Sequence, residues 1–120
     1  MIIGVGTDLC MISRMARAVR NEYFQMRVFS DEEIAYARSH VEPPLHFASS
    51  FAAKEAFAKA SGLGIFGVGL AASWVRRTKE GPVMMPAPEV SAKLGEFRCW
   101  LSLSHEGDYA LAFVVLERDR

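Results

Sequence analysis

A chain of 120 residues is the size of one domain and is long enough to bury a core. With 51% hydrophobic and 23% charged residues, its balance is that of a folded globular protein and excludes disorder. Fourteen Lys and Arg against fourteen Asp and Glu leave no net charge, so nothing draws the whole molecule to nucleic acid or an anionic membrane, and any anion recognition must be local. No apolar run reaches the roughly 18 residues of a membrane helix, and Met1-Ile2-Ile3-Gly4-Val5 lacks the basic lead of a signal peptide. A cytoplasmic enzyme or binding module is expected. Cys10 and Cys99 are too few and too far apart for a disulfide scaffold or a paired-cysteine zinc site, and read as buried thiols. With no repeat, low-complexity tract or linker, one domain over residues 1–120 is expected.

In chain order, Ile2, Ile3 and Val5 form a β-type run that ends at Gly6-Thr7-Asp8, which sets Asp8 at a strand's carboxyl end. Met11, Ile12, Met15 and Val19 recur at helical spacing, with Arg14, Arg17 and Arg20 three apart on a neighbouring face. This predicts a helix with a basic stripe. Ser30 followed by Asp31-Glu32-Glu33 is a capping box that opens a second helix to about Ser39, and Pro43-Pro44 then stops regular structure. A long third helix runs from Leu45 to Ser61, with Leu45, Ala48, Phe51, Ala52 and Phe57 as its apolar surface and Gly62 at its end. Gly62, Gly64, Gly67 and Gly69 make a close-approach loop. Leu70 to Thr78 reads as a strand, Glu80-Gly81-Pro82 as its turn and Val83 to Met85 as a short return strand. Pro88 to about Gly95 reads as a short helix. Arg98 to Ser104 and Tyr109 to Glu117 read as strands joined through the turn Glu106-Gly107-Asp108. The predicted class is α+β, a mixed or antiparallel sheet packed against a long central helix.

The chemistry-bearing residues are few. Glu55 lies about 40° round the helix from Phe51, at the edge of the apolar face, with Lys59 one turn later. As an exposed i, i+4 pair these two contribute only ~0.3–0.5 kcal/mol, and Asp8 read alone is a helix cap. If the acids meet in space they suit magnesium, which takes few carboxylates and completes its octahedron with water and phosphate oxygens. Zinc lacks ligands, since His105 and Cys99 stand alone and no His-Glu-x-x-His spacing occurs. Gly4-Val5-Gly6-Thr7-Asp8-Leu9 is not a dinucleotide loop, because Leu9 takes the third glycine position. Ser104-His105 is not a nucleophile and its base, because neighbours on a strand face opposite ways and there is no G-x-S-x-G elbow. A non-catalytic module holding an acidic protein on the basic first helix, and a nucleotide-binding regulator, are the alternatives to an enzyme.

Five segments, taken together and in order, resemble one family. They are Ile3-Gly4-Val5-Gly6-Thr7-Asp8-Leu9; Val28-Phe29-Ser30 with Glu33; Phe51-Ala52-Ala53-Lys54-Glu55-Ala56-Phe57-Ala58-Lys59-Ala60; Gly62-Leu63-Gly64-Ile65; and Leu103-Ser104-His105 with Tyr109-Ala110-Leu111-Ala112. The chain resembles holo-[acyl-carrier-protein] synthase, a 4′-phosphopantetheinyl transferase family, over nearly its whole length. The resemblance implies transfer of the 4′-phosphopantetheine arm of coenzyme A to a serine of apo-acyl carrier protein, with release of adenosine 3′,5′-bisphosphate, in fatty acid biosynthesis. It implies Mg2+ as cofactor, held by Asp8 and Glu55 against the coenzyme A diphosphate. It puts Lys59, Gly62, Gly64, Ser104 and His105 on coenzyme A, with Asp8, Glu55, Lys59 and His105 as the catalytic set. Glu55 and a water held by the acids are both candidates to accept the serine proton. Arg14 matches the position that docks the acidic helix of the carrier, and a homotrimer with active sites at subunit interfaces is implied. Exposed sheet apolars such as Phe113 and Val115 would suit that burial. Two positions depart from the family pattern. Ser50 stands where arginine commonly precedes the F-A-x-K-E-A phenylalanine, with Arg76 or Arg77 as other sources of that charge, and Glu106 replaces threonine after Ser104-His105.

Overall fold

The structure, a computed structural model, describes residues 1–64 and 69–119. Its elements are β1 (Ile2–Met11), α1 (Ile12–Ala18), α2 (Glu22–Val28), α3 (Asp31–Arg38), α4 (Pro43–Ser61), a 3-10 turn (Leu70–Ala72), β2 (Ser73–Thr78), β3 (Gly81–Pro86), α5 (Pro88–Leu94), β4 (Arg98–Glu106) and β5 (Tyr109–Glu117). Both sheets are antiparallel: a three-stranded sheet ordered β1-β5-β4 and a ribbon of β2 and β3. The class is α+β, as the residue pattern predicts.

The central packing is α4 against β1 and β5, and small residues make it possible. Ala110, Ala112, Val114 and Leu116 of β5 alternate inward and are fully buried beneath Ala52, Ala53, Ala56 and Phe57 of α4. On β1 the helix lies closer still. A Cβ on Gly4 would sit 1.8 Å from the Ala60 carbonyl oxygen, and one on Gly6 would sit 2.0 Å from that of Ala56. Two strand residues advance about 6.7 Å and four helical residues about 6 Å, so each two-residue step along β1 matches one turn back along α4. Backbone therefore runs against backbone, and the next inward position on β1 is Asp8.

A buried ion pair fastens the helices to the ribbon. Glu33, third residue of α3, closes a capping box with Ser30 and also accepts from the Val75 N–H at 2.9 Å. Its carboxylate meets Lys54 of α4 at 2.8 Å with both side chains buried, and the ammonium also donates to the Ser73 carbonyl. Burial pulls the Lys54 pKa down while Glu33 holds it up. One pair thus joins α3, α4 and β2.

Several boundaries differ from the sequence expectations. β1 continues through Gly6-Thr7-Asp8 to Met11, so Asp8 is not at a strand end but in mid-strand opposite Ala112. It caps nothing; α1 is instead capped from afar by Asp108, which accepts from the Ser13 N–H at 2.9 Å and hydroxyl at 2.6 Å. Pro43 and Pro44 start α4 rather than stop regular structure, since proline lacks only an N–H that the first turn leaves unpaired anyway. Leu70–Ala72 is a 3-10 turn, so β2 begins at Ser73. Glu106 closes β4 opposite Tyr109, which leaves Gly107-Asp108 as a two-residue turn with Gly107 at φ 57°. Helix α2, capped by Asn21, has no counterpart in the sequence reading; only Gln25 and Val28 are buried, too few to make a periodic apolar stripe. Gly67 and Ile65 of the glycine loop lie outside the described residues.

Candidate active site

Fixed by the glycine packing, Asp8 of β1 meets Glu55 and Lys59 of α4. The Lys59 ammonium is 3.1 Å from Asp8 Oδ1 and also donates to the Thr7 carbonyl at 3.0 Å. Lys59 thus pairs with Asp8, and not in the simple i, i+4 bridge to Glu55 that spacing alone suggests. The Glu55 carboxyl is held above its ordinary value, by burial first, then by the Asp8 charge and a hydrogen bond with Asp8, with Lys59 opposing. Two carboxyls therefore share one spot with a single ammonium beside them.

Such a pair fits a hard divalent cation. Among the described residues no group of three or more His, Cys, Asp or Glu side chains gathers to hold a metal. Two carboxylates with open positions are what magnesium takes when substrate oxygens complete its shell. Cys10 lies near, but a soft sulfur suits a hard cation poorly, and burial, Asp8 and Glu55 push its thiol up to about 11. Cys99 is pushed up to about 12 by burial.

His105 and Ser104 are not brought to this cluster within one chain. They line a cleft of about 370 Å³ between the outer edge of β4, the ribbon residues Arg77 and Pro82, and Leu45, His46 and Ser49 at the start of α4. Asp8 and Leu103 share a register row with Ala112 between them, about 10 Å apart at two strand spacings, and α4 rides over the middle strand. The helix is a wall between the two halves. His46 in this cleft is marked by no motif, and Arg77 is singled out by the sequence only with Arg76, as another source of the charge absent at Ser50.

The remaining expected site residues are exposed or near the rim. Gly62 and Gly64 follow α4 in the left-handed region, at φ 75° and 71°, which glycine alone adopts easily. Arg14 and Arg17 project from α1 into solvent, and Arg20 falls beyond that helix. Ser50 is buried in α4. Glu106 follows His105 along β4 and so points to the opposite face, which keeps its charge off the histidine's side. In a larger cleft of about 830 Å³ beside α5 both arginines are engaged: Arg98 pairs with Glu117 and Asp119, and Arg118 donates to the Glu96 and Leu94 carbonyls.

Comparison with known proteins decides what family this arrangement belongs to. The model of the 4′-phosphopantetheinyl transferase superfamily matches residues 4–114. The chain belongs to that superfamily. Holo-[acyl-carrier-protein] synthase of Geotalea daltonii is 40% identical over 128 residues, covering 98% of this chain and 100% of its own. That of Anaplasma marginale is 41% identical over 122 residues, covering 97% and 98%. Among solved structures, holo-[acyl-carrier-protein] synthase from Neisseria meningitidis superposes with a TM-score of 0.87 at 35% identity, covering 98% of this chain and 100% of that one. The Bacillus anthracis enzyme in complex with CoA (3′,5′-ADP) superposes with a TM-score of 0.83 at 31% identity, covering 99% of each chain. The chain has the phosphopantetheinyl transferase fold, and the protein is an enzyme of the transferase class.

Proposed function

We propose that the Asp8–Glu55–Lys59 cluster is the catalytic centre of a holo-[acyl-carrier-protein] synthase. The reaction moves 4′-phosphopantetheine from coenzyme A to a serine of apo-acyl carrier protein and leaves adenosine 3′,5′-bisphosphate. The observation that carries the site assignment is the meeting of Asp8, Glu55 and Lys59 at one spot, with the Lys59 ammonium 3.1 Å from Asp8 Oδ1 and Glu55 hydrogen-bonded with Asp8, because two acids held together serve a cation. Asp8 and Glu55 would hold magnesium; the chemistry such an ion supplies is neutralisation of diphosphate oxygens. Lys59, anchored at Asp8 yet largely exposed, offers its remaining N–H groups to a phosphate. The serine oxygen bonds to the pantetheine-bearing phosphorus as the bond to the bridging diphosphate oxygen breaks. Glu55, or a water held by the two acids, would take the serine proton. Catalysis here is positioning and charge, as phosphoryl-type transfer requires.

Arg14, with Arg17 beside it on α1, would steer the acidic carrier by a salt-sensitive attraction. His105, Ser104, Gly62 and Gly64 would contact coenzyme A. Because α4 separates His105 from Asp8 within one chain, the two halves are expected to come together between neighbouring subunits of a homotrimer. The outward sheet face supports that reading: Val5, Leu9, Trp100 and Phe113 are 57%, 63%, 58% and 46% exposed. Among the described residues no helix is long and apolar enough to cross a membrane, and a cytoplasmic role in fatty acid biosynthesis is expected.

The test is direct. Incubation with coenzyme A, magnesium and apo-acyl carrier protein should add one phosphopantetheine mass to the carrier, read by mass spectrometry. A carrier of unchanged mass would reject the function.

A further inference from the structure

The cleft lined by Arg77, His46 and His105 has the make-up of an anion site, and one atom in it asks for a ligand. No carboxylate lines it; its polar side chains are Arg77, His46, His105, Ser49, Ser102 and Ser104. Arg77 Nη2 is buried with no hydrogen-bond partner, and among the described residues no carboxylate lies within ion-pair distance of that guanidinium. Leaving a buried charged donor unpaired is costly, so its persistence calls for a partner that arrives with function. The group is also held in place. Its guanidinium carbon is 4.4 Å from the centre of the Tyr36 ring, and the same ring meets His46 edge-on at 5.2 Å. The neighbouring Arg76 is different, being fully committed to Glu32 at 3.1 Å on the exposed side of the ribbon.

Among the cleft's basic groups Arg77 is the permanent cation. Burial, His40 and Arg77 itself push His46 below its ordinary value, so that imidazole is neutral near neutral pH. Helix α4 adds no charge on this face: one turn on from His46 come Ser49 and Ser50. If the diphosphate of coenzyme A goes to Asp8, Glu55 and Lys59, the ribose 3′-phosphate remains, a dianionic monoester that needs its own cation.

We propose that Arg77 binds the 3′-phosphate of coenzyme A, with its unpaired Nη2 as donor and the cleft serines and histidines completing the shell. This rests on the transferase reading above. A fork of rigid N–H groups suits a phosphate monoester, and the Tyr36 ring preorganises it.

The experiment compares adenosine 3′,5′-bisphosphate with adenosine 5′-monophosphate by titration calorimetry on the purified full chain. Wild type should prefer the bisphosphate. Arg77→Gln should weaken bisphosphate binding about tenfold or more, the loss expected for a hydrogen bond to a charged group, and leave monophosphate binding unchanged. Arg76→Gln should leave both unchanged. Since loss of the Tyr36 contact threatens folding of Arg77→Gln, wild type is also treated with phenylglyoxal, where the bisphosphate should protect Arg77 and the monophosphate should not. Unaltered preference in Arg77→Gln, or no protection of Arg77, would overturn the assignment. Failure of carrier modification with Arg77-dependent bisphosphate binding intact would remove the transferase reading and keep the anion site. Carrier modification with Arg77-independent binding would do the reverse.

Discussion

A carboxyl that clings to its proton because it is partly buried with another carboxyl beside it is short of a cation. For Glu55 the raised pKa means that the folded chain binds a proton more tightly than the unfolded one, so stability is lost as pH rises from the ordinary 4.5 through the raised value. Glu55→Gln abolishes that pH dependence. Without metal near neutral pH the variant is expected to melt at or above the wild-type temperature, while transfer falls at least about 100-fold with the loss of a phosphate-charge-neutralising ligand. Magnesium should raise the melting temperature of wild type but not of the variant. A variant that melts several degrees lower and still transfers would contradict the assignment. The acids were readable from the chain, since Glu55 borders an apolar face; the pairing was not. Lys59 meets Asp8 across 51 residues of sequence, and helical spacing speaks only for neighbours a turn apart.

At the level of elements, α4 does two kinds of work with adjacent residues. Glu55 serves the candidate site, while Lys54, one position earlier, points the other way into a buried pair with Glu33. Lys54→Met is expected to cost about 3–5 kcal/mol in urea unfolding, because it strands the Glu33 carboxylate in the interior. Part of that loss should return in Lys54→Met combined with Glu33→Gln. The sequence showed Lys54 as one more charge on a helix and the capping box of α3 as a local device. Their union depends on how α3 and α4 cross, which no local pattern encodes. Likewise Gly6-Thr7-Asp8 has the composition of a turn, yet it continues β1, since its glycine is there for the close approach of α4. The long helix, the final hairpin strands and the α+β class were legible because their periodicity is strong; α2 was not, because it buries so little.

The molecule as a whole presents an apolar sheet face on one side and a candidate site divided by its own central helix. The proposed homotrimer would meet both. Phe113 lies mid-way along the central strand β5. Phe113→Asp is expected to give a monomer by light scattering, since central aromatic contacts are each worth about 2–4 kcal/mol, and to lose transfer with Asp8, Glu55 and Lys59 all intact. A monomeric wild type at working concentration would reject the assembly. Gly4 and Gly6 carry a further consequence. They bear no functional group, yet the distance from Asp8 to Glu55 is set by the absence of their side chains. In a survey of which substitutions a population of such chains can carry, these two positions would look as constrained as the acids themselves, and a bare hydrogen atom would pass for a catalytic residue.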